Sequence, residues 1–297
     1  RETPPTEERI GRAIEPDPQV RLFEPLDLPM RPPNMCAGCP HRGLFYCLSR
    51  IRDRIFVSGD IGCYTLGFLP PLSAMDSCVC MGASITIAHG MSKAMAAEGE
   101  GKIVAVLGDS TFIHSGITGL VNSVYNDSST TVIILDNRTT AMTGHQHNPA
   151  SGANIKGEPA HAINFEELCR AVGVNRIRVV NPHDIEATGE VLQEEIASLE
   201  TSVVISRAPC VLLPSEVRRR KPVYHTETAE CTGCGMCIGL GCPAISWHPL
   251  TPEEAVSRGY RKKQKGFARI AEVQCNGCGQ CAALCKFDAI VPGEVRQ

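Results

Sequence analysis

Two stretches decide the fold of this chain: Val104-Ala-Val-Leu-Gly-Asp-Ser110 and Val132-Ile-Ile-Leu-Asp-Asn137. Each is a short apolar run that ends in polar side chains, and such runs are typical of buried parallel strands. The segment from Gly116 to Tyr125 between them has the composition of a crossover helix. The region therefore predicts a right-handed βαβ unit within an α/β fold built on a parallel sheet.

The polar ends of these runs indicate a ligand site. Parallel strands that are neighbours in a sheet end at the same edge, which is where open α/β sheets bind ligands. Asp109 and Asn137 offer oxygen ligands of the kind that Mg²⁺ prefers, and Mg²⁺ usually completes its shell with phosphate oxygens and water. The alternative is an ordinary pair of turns without a cofactor.

Length and composition set broad limits. The 297 residues suffice for one large and one small domain, and 43% of them are hydrophobic. The net charge of −3 gives no indication of nucleic-acid binding, and no apolar run approaches the ~20 residues of a membrane span. Residues 1–30 are polar and proline-rich, which predicts a linker or arm rather than a signal peptide. Because residue 1 is Arg, we expect a fragment, a processed form or an incomplete reading frame.

The sixteen cysteines indicate metal or iron–sulfur ligation in a reducing cytoplasm rather than disulfides. Cys36 and Cys39 form a C-x-x-C pair, which binds zinc, binds an iron–sulfur cluster or performs thiol redox chemistry. Cys63 follows a predicted strand, Ile55–Ser58, and Cys210 follows another, Ser202–Ser206. Both would lie at the ligand edge of the sheet, although Cys63 alone could be a small buried residue.

The C-terminal region carries two cysteine runs: Cys231-x2-Cys234-x2-Cys237-x4-Cys242 and Cys275-x2-Cys278-x2-Cys281-x3-Cys285. Three closely spaced cysteines and a remote fourth form the bacterial two-cluster ferredoxin pattern, in which the fourth ligates the other cluster. The pattern predicts one 4Fe–4S cluster on Cys231, Cys234, Cys237 and Cys285. It predicts a second on Cys275, Cys278, Cys281 and Cys242, with two zinc ribbons as the alternative. The predicted domains are an α/β domain over 31–217 and an α+β ferredoxin-like domain over 218–297.

Two further segments are candidates for the same site. A helix is predicted to start at Met81, where the backbone N–H groups of Gly82 and Ala83 could receive a phosphate. The polar segment 138–149 predicts a loop at the ligand edge of the sheet. Within it, His145 and His147 are candidates for acid–base chemistry or substrate contact, or are solvated loop residues.

Several motifs together resemble a known family. Gly108-Asp-Ser110, then 25 residues, then Asp136-Asn137 is similar to the thiamine-diphosphate fingerprint, with Ser110 and Asp136 departing from the usual Gly and Asn. Joined to a two-cluster ferredoxin pattern, it resembles the 2-oxoacid:ferredoxin oxidoreductases, and within them the large subunit of the indolepyruvate branch. The segments that carry the likeness are 31–42, 59–67, 80–84, 108–112 and 135–146.

The resemblance implies roles for individual residues. Asp109, Asn137 and the Thr139 carbonyl would hold Mg²⁺. Gly82, Ala83 and Ser110 would contact the diphosphate, and His145 would lie near the reacting carbon. A third, proximal 4Fe–4S cluster would be held by four cysteines: Cys36, Cys39, Cys63 and Cys210. The competing expectation is that the indolepyruvate branch keeps only the two ferredoxin clusters.

The implied reaction is oxidative decarboxylation of an arylpyruvate to acyl-coenzyme A and CO2, with reduction of an external ferredoxin. A pyrimidine-binding domain with an activating glutamate would come from an upstream segment or another chain, and a smaller (β) subunit would bind. The location would be cytoplasmic, without membrane or nucleic-acid partners. The alternatives are a pyruvate or 2-oxoglutarate enzyme of the same superfamily, or an electron-transfer module with a cofactor-free α/β domain.

Overall fold

A computed structural model describes residues 32–95, 102–219, 221–260 and 264–295. The arm predicted for residues 1–30 lies outside these ranges. The chain divides into two units, Arg1–Pro33 and Asn34–Gln297. All elements below belong to the second unit.

The second unit is organised around a six-stranded parallel sheet, which confirms the predicted α/β class. Its strands are β1 (Ile55–Gly59), β2 (Ser77–Cys78), β3 (Lys102–Gly108), β4 (Thr131–Asp136), β5 (Arg176–Val180) and β6 (Ser202–Arg207). The order across the sheet is β2-β1-β3-β4-β6-β5. The chain passes from β1 to β2 on one side and returns to β3 on the other, so the topological switch point lies between β1 and β3. Open α/β sheets bind ligands at this point.

Helices cover both faces of the sheet. Those of this region are α1 (His41–Arg50), α2 (Ala83–Met95), α3 (Asp109–Thr111), α4 (Ile117–Tyr125), α5 (Phe165–Ala171), α6 (Ile185–Ile196) and α7 (Pro214–Val217). Side chains of α2, α4 and α5 pack with alternate residues of β3, β4 and β6 in one core cluster. Side chains of α1 and α6 pack with the opposite residues of these strands in another. This division follows from the alternation of side chains along a strand.

The predicted βαβ unit is confirmed, because β3 and β4 pair in parallel with Val104 opposite Thr131. Its helix begins directly at Asp109, ahead of the predicted Gly116, and continues through a π-helical turn, Phe112–Gly116. Helix α2 starts at Ala83 rather than Met81. The reason is the backbone of Gly82, whose φ of +87° is not helical and is open mainly to glycine.

Beyond the sheet, the C-terminal region is built from short elements. They are β7 (Pro222–Thr226), β8 (Ile245–Pro249), α8 (Pro252–Ser257), β9 (Gly266–Ile270), α9 (Gln280–Ala283) and β10 (Ile290–Val295). Strands β7 and β10 pair antiparallel, as do β8 and β9. Buried residues of this region, such as Leu240 and Ile270, share a core cluster with Leu44 of α1. The domain boundary at residue 218 stays a prediction, since the apolar core is continuous across it.

Among the described helices, none combines the length and the apolar character that a membrane crossing requires.

Candidate cofactor site

A cleft opens at the carboxyl ends of β1, β3 and β4, beside the switch point of the sheet. It encloses about 520 Å³ of empty space, part of it open to solvent. Among the residues proposed from sequence, those that line it are Cys63, Asp109, Ser110, Asn137 and Thr139. Apolar side chains of Ile61, Tyr64, Met81, Leu135 and Met142 form much of the remaining wall. The topology thus gathers residues that follow four different strands, β1 to β4, at one site.

Asp109 is the buried acid of this cleft. Its Oδ1 accepts the N–H of Ser110 at 2.6 Å and the Nδ2 of Asn148 at 3.3 Å. Its Oδ2 is buried and has no hydrogen-bond partner among the described residues. Burial raises the pKa of Asp109 to about 7, because a desolvated carboxylate favours the neutral form. A buried carboxylate oxygen without a protein donor is what a divalent cation site requires, so the residue fits the implied Mg²⁺.

Asn137 and Thr139 are fixed next to Asp109 by local contacts. The Asn137 Oδ1 accepts the Thr139 N–H at 3.1 Å, and its Nδ2 lies 3.4 Å from the Nε2 of His41. His41 is buried, and burial lowers its pKa to about 4, so the ring is neutral at pH 7. A neutral ring beside Asn137 adds no positive charge that would oppose a cation.

The phosphate cradle expected at Gly82 and Ala83 is not free. The N–H of Gly82 donates to Asp60 Oδ2 at 2.8 Å, and the N–H of Ala83 donates to the Cys80 carbonyl at 3.2 Å. Asp60 is fully buried at the end of β1. These bonds contradict the expectation that both N–H groups are available to a diphosphate. The physical reason is that a carboxylate from the neighbouring loop already satisfies the start of α2.

Asp136, which departs from the usual asparagine, is part of a buried ion-pair network. Its Oδ2 accepts the Nε of Arg207 at 2.7 Å, and the guanidinium of Arg207 makes a two-pronged contact with Glu166 at 2.9 and 2.7 Å. The Nε of Arg138 lies 3.2 Å from Asp136 Oδ1. The charge of Asp136 is therefore matched by arginines, which explains how an acid is accommodated beside Asn137.

The four cysteines proposed for a proximal cluster are near one another. Burial raises the pKa of Cys39 to about 12, with smaller contributions from Cys36 and Cys210. Burial also raises the pKa of Cys63, again with contributions from Cys210 and Cys36. Charges interact in this way only over short distances. The structure thus brings a C-x-x-C pair and two remote cysteines to one place next to the cleft.

His145 lies beside one of the cysteines proposed for the proximal cluster, because its Nε2 is 3.9 Å from the Cys210 sulfur. His147, on the same loop, is exposed and contacts Ser151 Oγ at 3.2 Å. The place of His145 near the reacting carbon stays a prediction.

The C-terminal cysteines line two small cavities, one with Cys231, Cys234, Cys237 and Cys285 and the other with Cys242, Cys275, Cys278 and Cys281. Their roles as cluster ligands stay a prediction. Burial raises the pKa of Cys237 to about 11, with further contributions from Cys231, Cys234 and Cys285. For Cys281 the pKa is about 12, where burial is followed by contributions from Cys278, Cys275 and Cys242 and, last, by one from Cys237 of the other set. In each set, three cysteines come from one of the two C-terminal cysteine runs and the fourth comes from the other run.

Glycines shape the loops that carry these cysteines. Gly233, Gly235, Gly277 and Gly279 all have positive φ, between 70° and 79°. The N–H of Gly277 points at the sulfur of Cys275, at 3.4 Å. Such turns let a short loop wrap several thiolates around one group, which fits an iron–sulfur cluster.

Within the described ranges, no three His, Cys, Asp or Glu side chains converge on a single metal ion. The donor chemistry explains this result. Around Asp109, the remaining donors would be an amide and a backbone carbonyl, while cluster cysteines surround a four-iron cube rather than one ion.

Sequence reasoning missed four residues around the site: His41, Asp60, Tyr64 and Asn148. Their signals were weak, because each is a single polar residue outside the fingerprint. Tyr64 donates to the Ile61 carbonyl at 3.0 Å and packs edge-on against His41. His41 follows the Cys36-x-x-Cys39 pair directly, and that position was the one clue that could have drawn attention to it.

Comparisons with known proteins agree with this geometry. Residues 60–206 match the family model described as thiamine pyrophosphate enzyme, C-terminal TPP binding domain. The sheet and cleft thus define a domain of the thiamine pyrophosphate enzymes. The 2-oxoglutarate:ferredoxin oxidoreductase from Magnetococcus marinus shares the fold, with a TM-score of 0.53 at 16% identity over 62% of this chain and 66% of that chain.

Curated relatives narrow the family. Indolepyruvate oxidoreductase subunit IorA of Thermococcus kodakarensis is 42% identical over 89% of this chain and 41% of its own length. IorA of Pyrococcus abyssi is 40% identical over 88% of this chain and 41% of its own length. The chain belongs to the family of these IorA subunits, as the sequence motifs predicted. It spans about 41% of the length of the curated relatives that it matches.

Proposed function

We propose that this chain is the diphosphate- and Mg²⁺-binding half of a thiamine-diphosphate-dependent 2-oxoacid:ferredoxin oxidoreductase. The observation that carries the proposal is Asp109, whose buried Oδ2 has no donor among the described residues and which lines the same cleft as Asn137. An unpaired buried carboxylate is costly, and a divalent cation relieves that cost. The match of residues 60–206 supports thiamine diphosphate as the cofactor that brings the cation.

The residues of the cleft have distinct parts in this proposal. Asp109, Asn137 and the carbonyl of Thr139 hold Mg²⁺, and Ser110 lies beside the diphosphate. When bound, thiamine diphosphate supplies the electron sink that decarboxylation of a 2-oxoacid requires. The apolar side chains of Ile61, Met81 and Met142 line the cleft and suit an aromatic substrate.

The reaction proposed for the whole protein is oxidation of indolepyruvate or another arylpyruvate to acyl-coenzyme A and CO2, with ferredoxin as the electron acceptor. The name of the IorA relatives supports the substrate class. The glutamate that activates the cofactor pyrimidine comes from outside the described residues, either upstream or from another chain. A smaller subunit completes the enzyme, in the cytoplasm. A pyruvate or 2-oxoglutarate substrate is the alternative.

Three 4Fe–4S clusters carry the electrons in this proposal. The proximal one is held by Cys36, Cys39, Cys63 and Cys210, with the ring of His145 beside Cys210. The other two are held by the sets that the ferredoxin pattern predicts: Cys231, Cys234, Cys237 and Cys285, and Cys275, Cys278, Cys281 and Cys242. The grouping of the thiols in space supports each set.

The test is the affinity for thiamine diphosphate of the full-length subunit with its partner, measured by calorimetry with and without Mg²⁺. We expect Asp109→Asn to weaken binding at least tenfold and to abolish its Mg²⁺ dependence, because an amide offers no charge to the cation. The exposed Asp127→Asn in a turn makes the same chemical change away from the cleft and should bind as the wild type does. Equal binding by both variants would overturn the proposal.

The second candidate is an electron-transfer module without its own catalysis, which the cysteine sets alone would also support. Under that function the protein contains iron and acid-labile sulfide but does not bind thiamine diphosphate. The same calorimetric measurement, combined with iron analysis, separates the two functions.

A further inference from the structure

Arg42 is a fully buried arginine, with 1% of its surface exposed. No ion pair found among the described residues includes it, although most buried charges have a charged partner. Burying a guanidinium without an opposite charge is costly. A group of negative charge is therefore expected close to this side chain.

The guanidinium of Arg42 joins two parts of the molecule by hydrogen bonds. Within the segment that precedes α1, Nε donates to the Cys36 carbonyl at 3.0 Å, and Nη2 donates to Asn34 Oδ1 at 3.0 Å and to the Met35 carbonyl. On the cysteine-rich side, Nη1 donates to the carbonyls of Leu240 and Gly241, at 3.0 and 2.6 Å. All these acceptors are neutral, so they fix the position of the charge but do not neutralise it.

The acidic groups that face Arg42 are thiols from two different cysteine sets. Arg42 lines one small cavity together with Cys242, Cys275, Cys278 and Cys281, and its Nε is hydrogen-bonded to the Cys36 carbonyl. Burial lowers the pKa of Arg42, and Cys242, Cys39, Cys36 and Cys278 act in the opposite direction. Cys36 and Cys39 belong to the proximal set, whereas Cys242 and Cys278 belong to one ferredoxin-type set. The four cysteines of the remaining set, around Cys231, line a different cavity, and Arg42 is not among the residues that line it.

Contacts near Arg42 hold the two sets together. Gln280, which is buried on α9, donates to the Cys39 carbonyl at 3.3 Å and contacts the His183 ring at 2.8 Å. The loop of one set therefore packs directly on the loop of the other, with Arg42 beside both.

We propose that Arg42 is the shared counter-cation of two iron–sulfur clusters, the one on Cys36, Cys39, Cys63 and Cys210 and the one on Cys275, Cys278, Cys281 and Cys242. This inference rests on the proposed function, because it requires both clusters. A four-iron cluster with four thiolates carries a net negative charge, and each added electron increases it. A fixed positive charge between two such clusters stabilises their reduced forms and raises the reduction potential of both. Arg42 is thus a positioning residue for electron transfer from the cleft to the ferredoxin-like region.

The experiment is a redox titration of the full-length subunit with its partner, followed by electron paramagnetic resonance. Arg42→Gln removes the charge and keeps donor groups. We expect it to lower the midpoint potential of each of these two clusters by at least about 59 mV, which for one electron is a tenfold change in the reduction equilibrium. The cluster around Cys231 should keep its potential. Arg42→Lys, which keeps the charge, should recover most of the loss.

A second variant tests the same charge without removing Arg42. Asn34 is exposed, so Asn34→Asp should fold, and its carboxylate next to the guanidinium should lower both potentials by less than Arg42→Gln does. Asn122→Asp on the exposed side of α4 is the matched control and should leave the potentials of all three clusters unchanged. Unchanged potentials in Asn34→Asp, or equal shifts of all three clusters, would overturn the role of Arg42.

The iron and acid-labile sulfide content of the wild type distinguishes a failure of the proposed function from a failure of this inference. A wild type with fewer than three clusters contradicts the proposed function, and this inference with it. Three clusters whose potentials do not respond to the charge at Arg42 leave the proposed function standing and refute only the inference.

Discussion

Replacing Arg207 with Met should destabilise the protein through Asp136, the acid that precedes the proposed Mg²⁺ ligand Asn137. The side chain of Asp136 is 0% exposed, and its Oδ2 accepts a 2.7 Å hydrogen bond from Arg207. Removal of one partner of a buried ion pair typically costs 3–5 kcal/mol, because the other charge stays buried. Arg138 remains near Oδ1, so we expect the lower end, about 3 kcal/mol, or roughly a hundredfold change in the folding equilibrium.

The free energy of unfolding in urea measures this effect. Arg219→Met is the matched control, because the Arg219 side chain is 68% exposed and lies 3.8 Å from Glu216, which keeps Lys221 as a partner. Exposed pairs of this kind contribute about 0–1 kcal/mol, so the control should remain close to the wild type. The double variant Asp136→Asn with Arg207→Met removes both charges and should regain most of the lost stability.

Two results would refute this reasoning. A loss below about 1 kcal/mol for Arg207→Met would mean that Asp136 is not held by a buried ion pair. A double variant less stable than Arg207→Met alone would mean that the acid itself, and not its missing partner, determines stability. Because Asn137 follows Asp136 directly, the single variant should also weaken Mg²⁺-dependent cofactor binding.

Three further outcomes are expected. Cys63→Ala should lower the iron content of anaerobically purified protein from about twelve to about eight atoms per chain. The control, Cys78→Ala, should retain about twelve. Equal iron content in the two variants would mean that Cys63 is a structural residue and not a cluster ligand. Gly82→Ala should lower the midpoint of thermal unfolding, because the backbone φ of Gly82 is +87° and the added methyl group would collide with Ser115. The control is Gly90→Ala in the middle of α2, where no other atom is close; it should leave the stability unchanged or raise it by about 0.5–1 kcal/mol. Chelation of Mg²⁺ with EDTA should release thiamine diphosphate into the filtrate, and retention of the cofactor would argue against a metal-dependent site.

Several features could be predicted from short-range patterns. The apolar runs before Asp109 and Asn137 predicted two strands, and the order of these runs along the chain predicted that the two strands are neighbours in the sheet. The glycine-flanked spacing of Cys275, Cys278 and Cys281 predicted a common loop. These predictions succeeded because strand periodicity and tight turns depend on residues close together in sequence.

Other features could not be predicted because they depend on remote partners. The start of α2 has the glycine expected of a phosphate cradle, but Asp60 from the loop after β1 occupies the N–H of Gly82. His145 lies on the expected loop but turns to Cys210, which comes 65 residues later in the chain. No local pattern encodes such contacts.

The sequence by itself determined the α/β class and the family. The two ferredoxin-type cysteine sets follow from spacing along the chain and stay predictions, and the set of Cys36, Cys39, Cys63 and Cys210 is what the family resemblance implies. Only the tertiary structure decided which polar groups are left without a partner. It buried Asp109 Oδ2 without a donor, and it placed the charge of Arg42 beside residues of two cysteine sets. The physical reason is that desolvation and charge compensation are properties of the packed interior, where residues from distant parts of the chain meet.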